Sequence, residues 1–315
     1  FLKAARGMGH EVVAVVGRHL GRATAFARGH HIAEAYRITE AIVETALSTD
    51  WVDAAYVATP HSAHLDATMA LLEARVPVLC EKPMAVNAGQ VSEMVAAARA
   101  NDTFLMEAMW TRHLPVHDEV RTWISGGRIG APKLVEASFG FRTPYKPKSR
   151  LWSRDLAGGS LLDLGVYLLT LADLVFDGPP ESVSAVAELS PEAIDARLTM
   201  VLDYSSGGLA RLDSAINTRL SAEARISGES GTITIPAFWS AERASLRSRA
   251  DSEEVHHPHL INGFEYQILE VARCLQTGLT ESPVVKWAWS LRMASLMDTI
   301  RAQIGVRYPA DEEVG

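Results

Sequence analysis

The sequence predicts an α/β chain in two parts: a parallel sheet with crossover helices, then an α+β region with an open, mostly antiparallel sheet. Three observations carry this. Short apolar runs alternate with helical periodicity through the first hundred residues. Beyond residue 114, strand-like runs follow one another with few helices between, separated by turn signals such as Ser205-Ser206-Gly207-Gly208. A length of 315 residues with 48% hydrophobic content suits two cored domains, placed at 1–114 and 115–315.

In order, residues 1–6 read as a helix. Residues 12–16 (Val-Val-Ala-Val-Val) read as a strand buried on both faces. Helices are expected over 22–27 and 39–47, the second capped by Thr39. Strands over 52–58, 76–80 and 104–107 alternate with helices over 63–74 and 88–100. In the second part, strands are expected over 133–141, 183–189, 197–204, 208–215, 222–227 and 232–235. Helices are expected over 116–125, 160–176, 262–277 and 286–304.

A net charge of -8 argues against a nucleic-acid partner or an anionic membrane surface. No apolar run is read as reaching the roughly 18 residues of a span, and no signal peptide is visible. Cys80 and Cys274 have neither CxxC nor zinc spacing, so they read as core residues of a cytoplasmic protein. No metal site is expected: His256-His257-Pro258-His259 has polar, turn-like flanks and no carboxylate pattern. The tail Asp311-Glu312-Glu313 reads as a solvated end.

Five segments carry chemistry. Thr59-Pro60-His61, with His64, follows a parallel strand, where ligands of open α/β sheets bind. Glu81-Lys82-Pro83 follows the next strand. A lysine there is costly to desolvate unless it meets Glu81 or a polar ligand. After Gly158-Gly159, Asp163 and Tyr167 are four residues apart on an apolar helix, hence on one face. Near the boundary, Trp110 could pack on a flat ring and Arg112 could meet a phosphate. Arg18 ends the first strand, where an acid would bind a ribose 2′-hydroxyl and an arginine accommodates a 2′-phosphate.

Together these segments resemble the glucose-fructose oxidoreductase and inositol dehydrogenase family, and within it the dihydrodiol and xylose dehydrogenase branch. The resemblance rests on Glu81-Lys82-Pro83, the stretch 106–112 (Met-Glu-Ala-Met-Trp-Thr-Arg), Asp163-Leu164-Gly165-Val166-Tyr167 and the ending Gly305-Val306-Arg307-Tyr308-Pro309. It implies NADP-dependent hydride transfer to or from a carbinol or carbonyl carbon of a polyol, sugar or trans-dihydrodiol, in a homodimer. It makes Lys82 and Tyr167 the acid–base pair, oriented by Asp163, with the Lys82 ammonium bringing the phenol toward neutrality. Thr59, Pro60, His61, His64, Glu81, Lys82 and Pro83 would border the dinucleotide, and Arg18 would meet its 2′-phosphate. His61 and His64 stand as alternate acid–base groups.

The family's opening strand and GxGxxG loop have no counterpart, since Gly7-Met8-Gly9 follows the first helix instead of opening it. The expectation is an N-terminally truncated Rossmann-type sheet that binds cofactor weakly. An impaired fragment, or a nucleotide- or sugar-binding sensor, is the alternative to an active enzyme.

Overall fold

The computed structural model describes residues 1–37, 52–249 and 251–312. The helix expected over 39–47 lies outside the described residues.

The first part begins with α1 (Leu2–Gly7), β1 (Ala14–Gly17), α2 (Leu20–Gly29) and β2 (Glu34–Arg37). It continues through β3 (Ala55–Val57), α3 (His64–Glu73), β4 (Val78–Glu81), α4 (Ala88–Ala100) and β5 (Leu105–Ala108). All pairings are parallel, in two groups: β1 with β2, and β3-β4-β5. Strands β4 and β5 are almost wholly buried, as strands covered on both faces should be; Glu107, inside β5, is buried with them and accepts the Met84 N–H at 3.0 Å. Strand β1 departs from expectation. All four of its residues are half-buried; among the described residues its strand neighbour is the polar β2, Glu-Ala-Tyr-Arg. Helix α4 starts where the Asn87 side chain accepts the Gln90 N–H at 2.9 Å.

The second part opens with α5 (Pro115–Ser125) and β6 (Pro132–Gly140). A π turn, Leu161–Gly165, runs into α6 (Val166–Phe176), where the sequence reads as one continuous helix. Then come β7 (Ser182–Leu189), β8 (Asp195–Asp203), β9 (Leu209–Ala215), β10 (Ala224–Gly228), β11 (Gly231–Ile235), β12 (Arg243–Ser248) and β13 (Ser252–His256). The chain closes with α7 (Glu265–Gln276) and α8 (Trp287–Ile304). Eight strands form one sheet in the order β13-β12-β11-β10-β6-β9-β8-β7, parallel only between β6 and β9. In β8, Leu198, Met200 and Leu202 face the core while Arg197, Thr199 and Val201 face out, the alternation of a sheet covered on one side.

Helix α8 returns to the first part. Trp287 Nε1 donates to the Leu105 carbonyl at 2.8 Å, and the Asp298 carboxylate accepts the Ala88 N–H at 2.9 Å. Two expectations are corrected in this half. The stretch Arg154–Phe176 does reach the length and apolarity of a membrane span, but 89% of its most apolar part is buried, so it is the core of the second part. Asp311 is no solvated end: it pairs with Arg301, itself 4% exposed, and accepts the Tyr308 N–H at 2.8 Å.

Candidate active site

Parallel strands put their carboxyl ends at one rim, and the residues after β3 and β4 meet there. A cleft of about 350 Å³ is lined by Ala58, Thr59, Pro60, His61, His64, Glu81, Lys82, Arg150, Leu156 and Asp163. Two sequence segments far apart in the chain thus face each other across it.

Lys82 is the centre. Its ammonium donates to the Asp163 carbonyl at 2.6 Å, stands 3.8 Å from the Asp163 carboxylate, and lies 4.6 Å over the Tyr167 ring. Asp163 and Tyr167 therefore meet through Lys82. Glu81 is not the lysine's side-chain partner. Its carboxylate accepts from the Tyr56 hydroxyl and from the Lys82 N–H at 3.1 Å. Burial works to lower the Lys82 pKa, but the Tyr167 phenolate where it forms, with the Asp163 and Glu81 carboxylates, outweighs it and holds the ammonium above its ordinary value. Burial likewise favours a neutral Asp163, yet Lys82 and Arg150, the latter 2.8 Å away, keep it a carboxylate of lowered pKa.

Tyr167 departs from expectation. Burial raises the phenol above its ordinary value, and the nearby ammonium only partly opposes that. Lys82 sits over the ring face, and the hydroxyl instead accepts the Trp110 Nε1–H at 3.1 Å. The phenol is thus a proton donor across the neutral range.

The histidines are also corrected. His61 Nδ1 faces the Ala157 carbonyl at 3.0 Å, and burial, then the neighbouring His64 and Lys82, take its pKa down to about 3. His64 faces two carbonyls, Pro83 at 2.9 Å and Thr59 at 3.0 Å, and burial lowers it too. Burial works against the protonated ring in both, and both are held by backbone carbonyls, which disfavours them as alternate acid–base groups. Both border the cleft, as do Thr59, Pro60, Glu81 and Lys82. Pro83, after a cis peptide bond, lies behind them as the His64 acceptor.

Tyr167 stands behind Lys82 and is not among the residues that line the cleft; nor do Trp110 and Arg112 reach it, against expectation. Trp110 is 3% exposed and stacks on Phe264 with centroids 4.8 Å apart, so no cofactor ring can cover it. Arg112 is committed to Asp173 at 3.0 Å, to the Val284 carbonyl and to the Trp289 ring. Arg18 is exposed just past β1. Arg150 was not anticipated from sequence. The signal available was a run of cations without acids, Lys146, Lys148 and Arg150, leading into Gly158-Gly159.

A nicotinamide cofactor fits this cleft in part. Thr59 Oγ1 is buried at its wall without a hydrogen-bond partner, so a polar group entering there would satisfy it. No glycine-rich phosphate loop stands beside it among the described residues.

Residues 2–109 match the oxidoreductase family with NAD-binding Rossmann fold, and 117–234 match the GFO/IDH/MocA C-terminal domain. Trans-1,2-dihydrobenzene-1,2-diol dehydrogenase of Xenopus laevis is 39% identical over 308 residues, covering 95% of this chain and 92% of that protein. The Bos taurus enzyme of the same name is 36% identical over 313 residues, covering 96% and 91%. Among solved structures, a Caulobacter crescentus aldose-aldose oxidoreductase complexed with glycerol superposes with a TM-score of 0.83 at 25% identity, covering 93% and 89%. An Actinomadura kijaniata 3-ketoreductase in complex with NADP and TDP-benzene gives 0.83 at 26%, covering 96% and 93%. The chain belongs to the GFO/IDH/MocA oxidoreductase family: it is a dehydrogenase with an NAD(P)-binding Rossmann domain.

Proposed function

We propose that this family member is an NADP-dependent oxidoreductase that moves a hydride between the nicotinamide and a carbinol or carbonyl carbon of a sugar or trans-dihydrodiol. The observation that carries this reading is the Lys82 ammonium held between Asp163 and Tyr167 at the carboxyl ends of parallel strands. The bound nicotinamide supplies the hydride acceptor or donor. Tyr167 handles the proton: in oxidation it takes the one on the substrate hydroxyl, and in reduction it gives one to the carbonyl oxygen. Lys82 offsets the charge that develops on the phenolate, and Trp110 donates to the same oxygen. Asp163 holds Lys82 in place, and Arg150 holds Asp163. The substrate classes follow the names of relatives that act on dihydrodiols and aldoses. We also take 1–114 as the cofactor domain and 115–315 as the substrate and dimerisation domain. The cytoplasm is the compartment that two buried, unpaired thiols suit.

NADP should bind tighter than NAD. Arg18 is exposed at the end of β1, where no acid stands among the described residues to hold a ribose hydroxyl. A charge-assisted phosphate contact favours NADP by roughly 1.5–3 kcal/mol, or about 10- to 150-fold. Titration of both cofactors in one buffer tests this; equal affinities, or tighter NAD, would sink it.

The outer face of the eight-stranded sheet is the proposed dimer surface. Val186, at 75% exposure, shares that face with Val201 and Leu209. Charged and polar residues such as Arg197, Thr199 and Arg211 lie between them, so the face offers a partner copy apolar contacts set among ion pairs. Light scattering at micromolar concentration should give twice the chain mass, and a monomer would refute the assignment.

A further inference from the structure

The helix that carries Asp163 and Tyr167 is held at its start by one buried acid on the sheet. Asp195, the first residue of β8, is fully buried. Its Oδ2 accepts the Leu161 N–H at 2.6 Å and the Ser160 hydroxyl at 2.8 Å, and Ser160 also meets the Ser214 hydroxyl of β9 at 3.0 Å. Leu161 is the first residue of the π turn. Its N–H is one of the donors a helix start leaves unpaired.

We infer that Asp195 is a positioning residue of the active site: it pins the start of this helix to the sheet and so holds the Asp163 carbonyl and Tyr167 in register with Lys82. Three further observations support this. No cation pairs with Asp195 among the described residues, so its neighbours are the donors of the helix start and the Tyr308 hydroxyl, which donates to the Gly158 carbonyl. Burial pushes the carboxyl up to about 6, while Ser160 and Leu161 pull against it. An acid under that penalty survives a fold only where its hydrogen bonds are used, and here they fall on Oδ2, which takes both helix-start donors, while Oδ1 is buried without a partner. Finally, Gly159 sits at φ +121°, and a Cβ there would lie 2.3 Å from Asp195 Oδ1. The turn into the helix is built in direct contact with the carboxylate.

The consequence is geometric. Asp163 follows Leu161 by two residues and Tyr167 by six, so an unpinned first turn shifts both against Lys82. A misplacement of about 1 Å in a catalytic array costs on the order of 10²-fold in rate.

The inference rests on the acid–base reading of Lys82 and Tyr167, so Tyr167→Phe belongs in the same experiment. In the purified enzyme with NADP, Asp195→Ala should lower kcat per folded active site by about 10- to 100-fold. Cofactor affinity and substrate KM should hold, because Asp195 does not line the cleft. Asp195→Asn, which keeps an oxygen to accept from Leu161, should recover most of the loss. A role in stability alone would reduce the folded fraction and leave kcat per site intact. If Asp195→Ala does not fold, Ser160→Ala, which removes one donor and keeps the carboxylate, should still lower kcat without changing KM. Unchanged kcat per site in Asp195→Ala, or in Ser160→Ala where that variant stands in for it, overturns the inference while Tyr167→Phe is inactive. A fully active Tyr167→Phe overturns the acid–base reading instead.

Discussion

Replacing Tyr167 by phenylalanine is expected to reduce kcat by about 10²–10⁴-fold, the usual worth of a positioned proton-transfer group, and to leave NADP affinity unchanged. The ring stays, so its edge-to-face contact with Phe139, centroids 5.8 Å apart, and its cover by Lys82 survive. What is lost is the acceptor of the Trp110 indole N–H, a buried donor that then has no partner. That costs about 1–3 kcal/mol of stability, visible as a lowered Tm and separable from the rate. Because burial raises the phenol, the parent enzyme should show opposite pH behaviour in the two directions. Reduction starts from the protonated phenol and should be flat across the neutral range. Oxidation needs the phenolate and should quicken as pH rises. Both dependences should vanish with the hydroxyl. A variant that keeps more than about a tenth of parental kcat would remove Tyr167 from the proton transfer.

The parts of this protein that sequence reveals are those whose residues repeat with a period. Strands β4 and β5 are legible because each is a short, mostly apolar run between helices, and β8 because Leu198, Met200 and Leu202 alternate with the outward Arg197, Thr199 and Asp203. Strands β12 and β13 are not: Arg-Ala-Ser-Leu-Arg-Ser and Ser-Glu-Glu-Val-His hide two-residue alternation under polar and charged residues, as befits the edge of a sheet. Strand β2 is hidden for a similar reason. At the site, residues that follow strand ends, Thr59 to His64 and Glu81 to Lys82, are legible from position alone. Trp110 and Arg112 mislead because a Trp or an Arg near a boundary has the same local pattern whether it meets a ligand or the core. Only their partners, Phe264 and Asp173, decide it. Arg150 sits in an irregular segment, and Asp195 looks like any acid after a turn. Their roles exist only once the chain has brought them against Asp163 and Leu161.

Lys82→Met should be nearly as damaging as Tyr167→Phe, and the two losses should not multiply. Methionine keeps an unbranched apolar stem of similar length, and Asp163 keeps Arg150 at 2.8 Å, so no carboxylate is left without a cation. The fold therefore escapes most of the roughly 3–5 kcal/mol that breaking a buried pair costs. The Asp163 carbonyl loses its 2.6 Å donor, and Tyr167 loses the ammonium that pulls its pKa down. Oxidation should suffer more than reduction, because it alone requires the phenolate, and its alkaline rise should move to higher pH. If the two residues serve one proton transfer, the double variant should be little slower than either single one. Each single loss of about 10²-fold or more would then already contain the other. The measurement is kcat in both directions across pH for the two single variants and the double. A double variant whose loss is the product of the single losses would mean that Lys82 and Tyr167 act in separate steps. Lys82 would then be a binding group at the strand end and Tyr167 a proton carrier that does not depend on it.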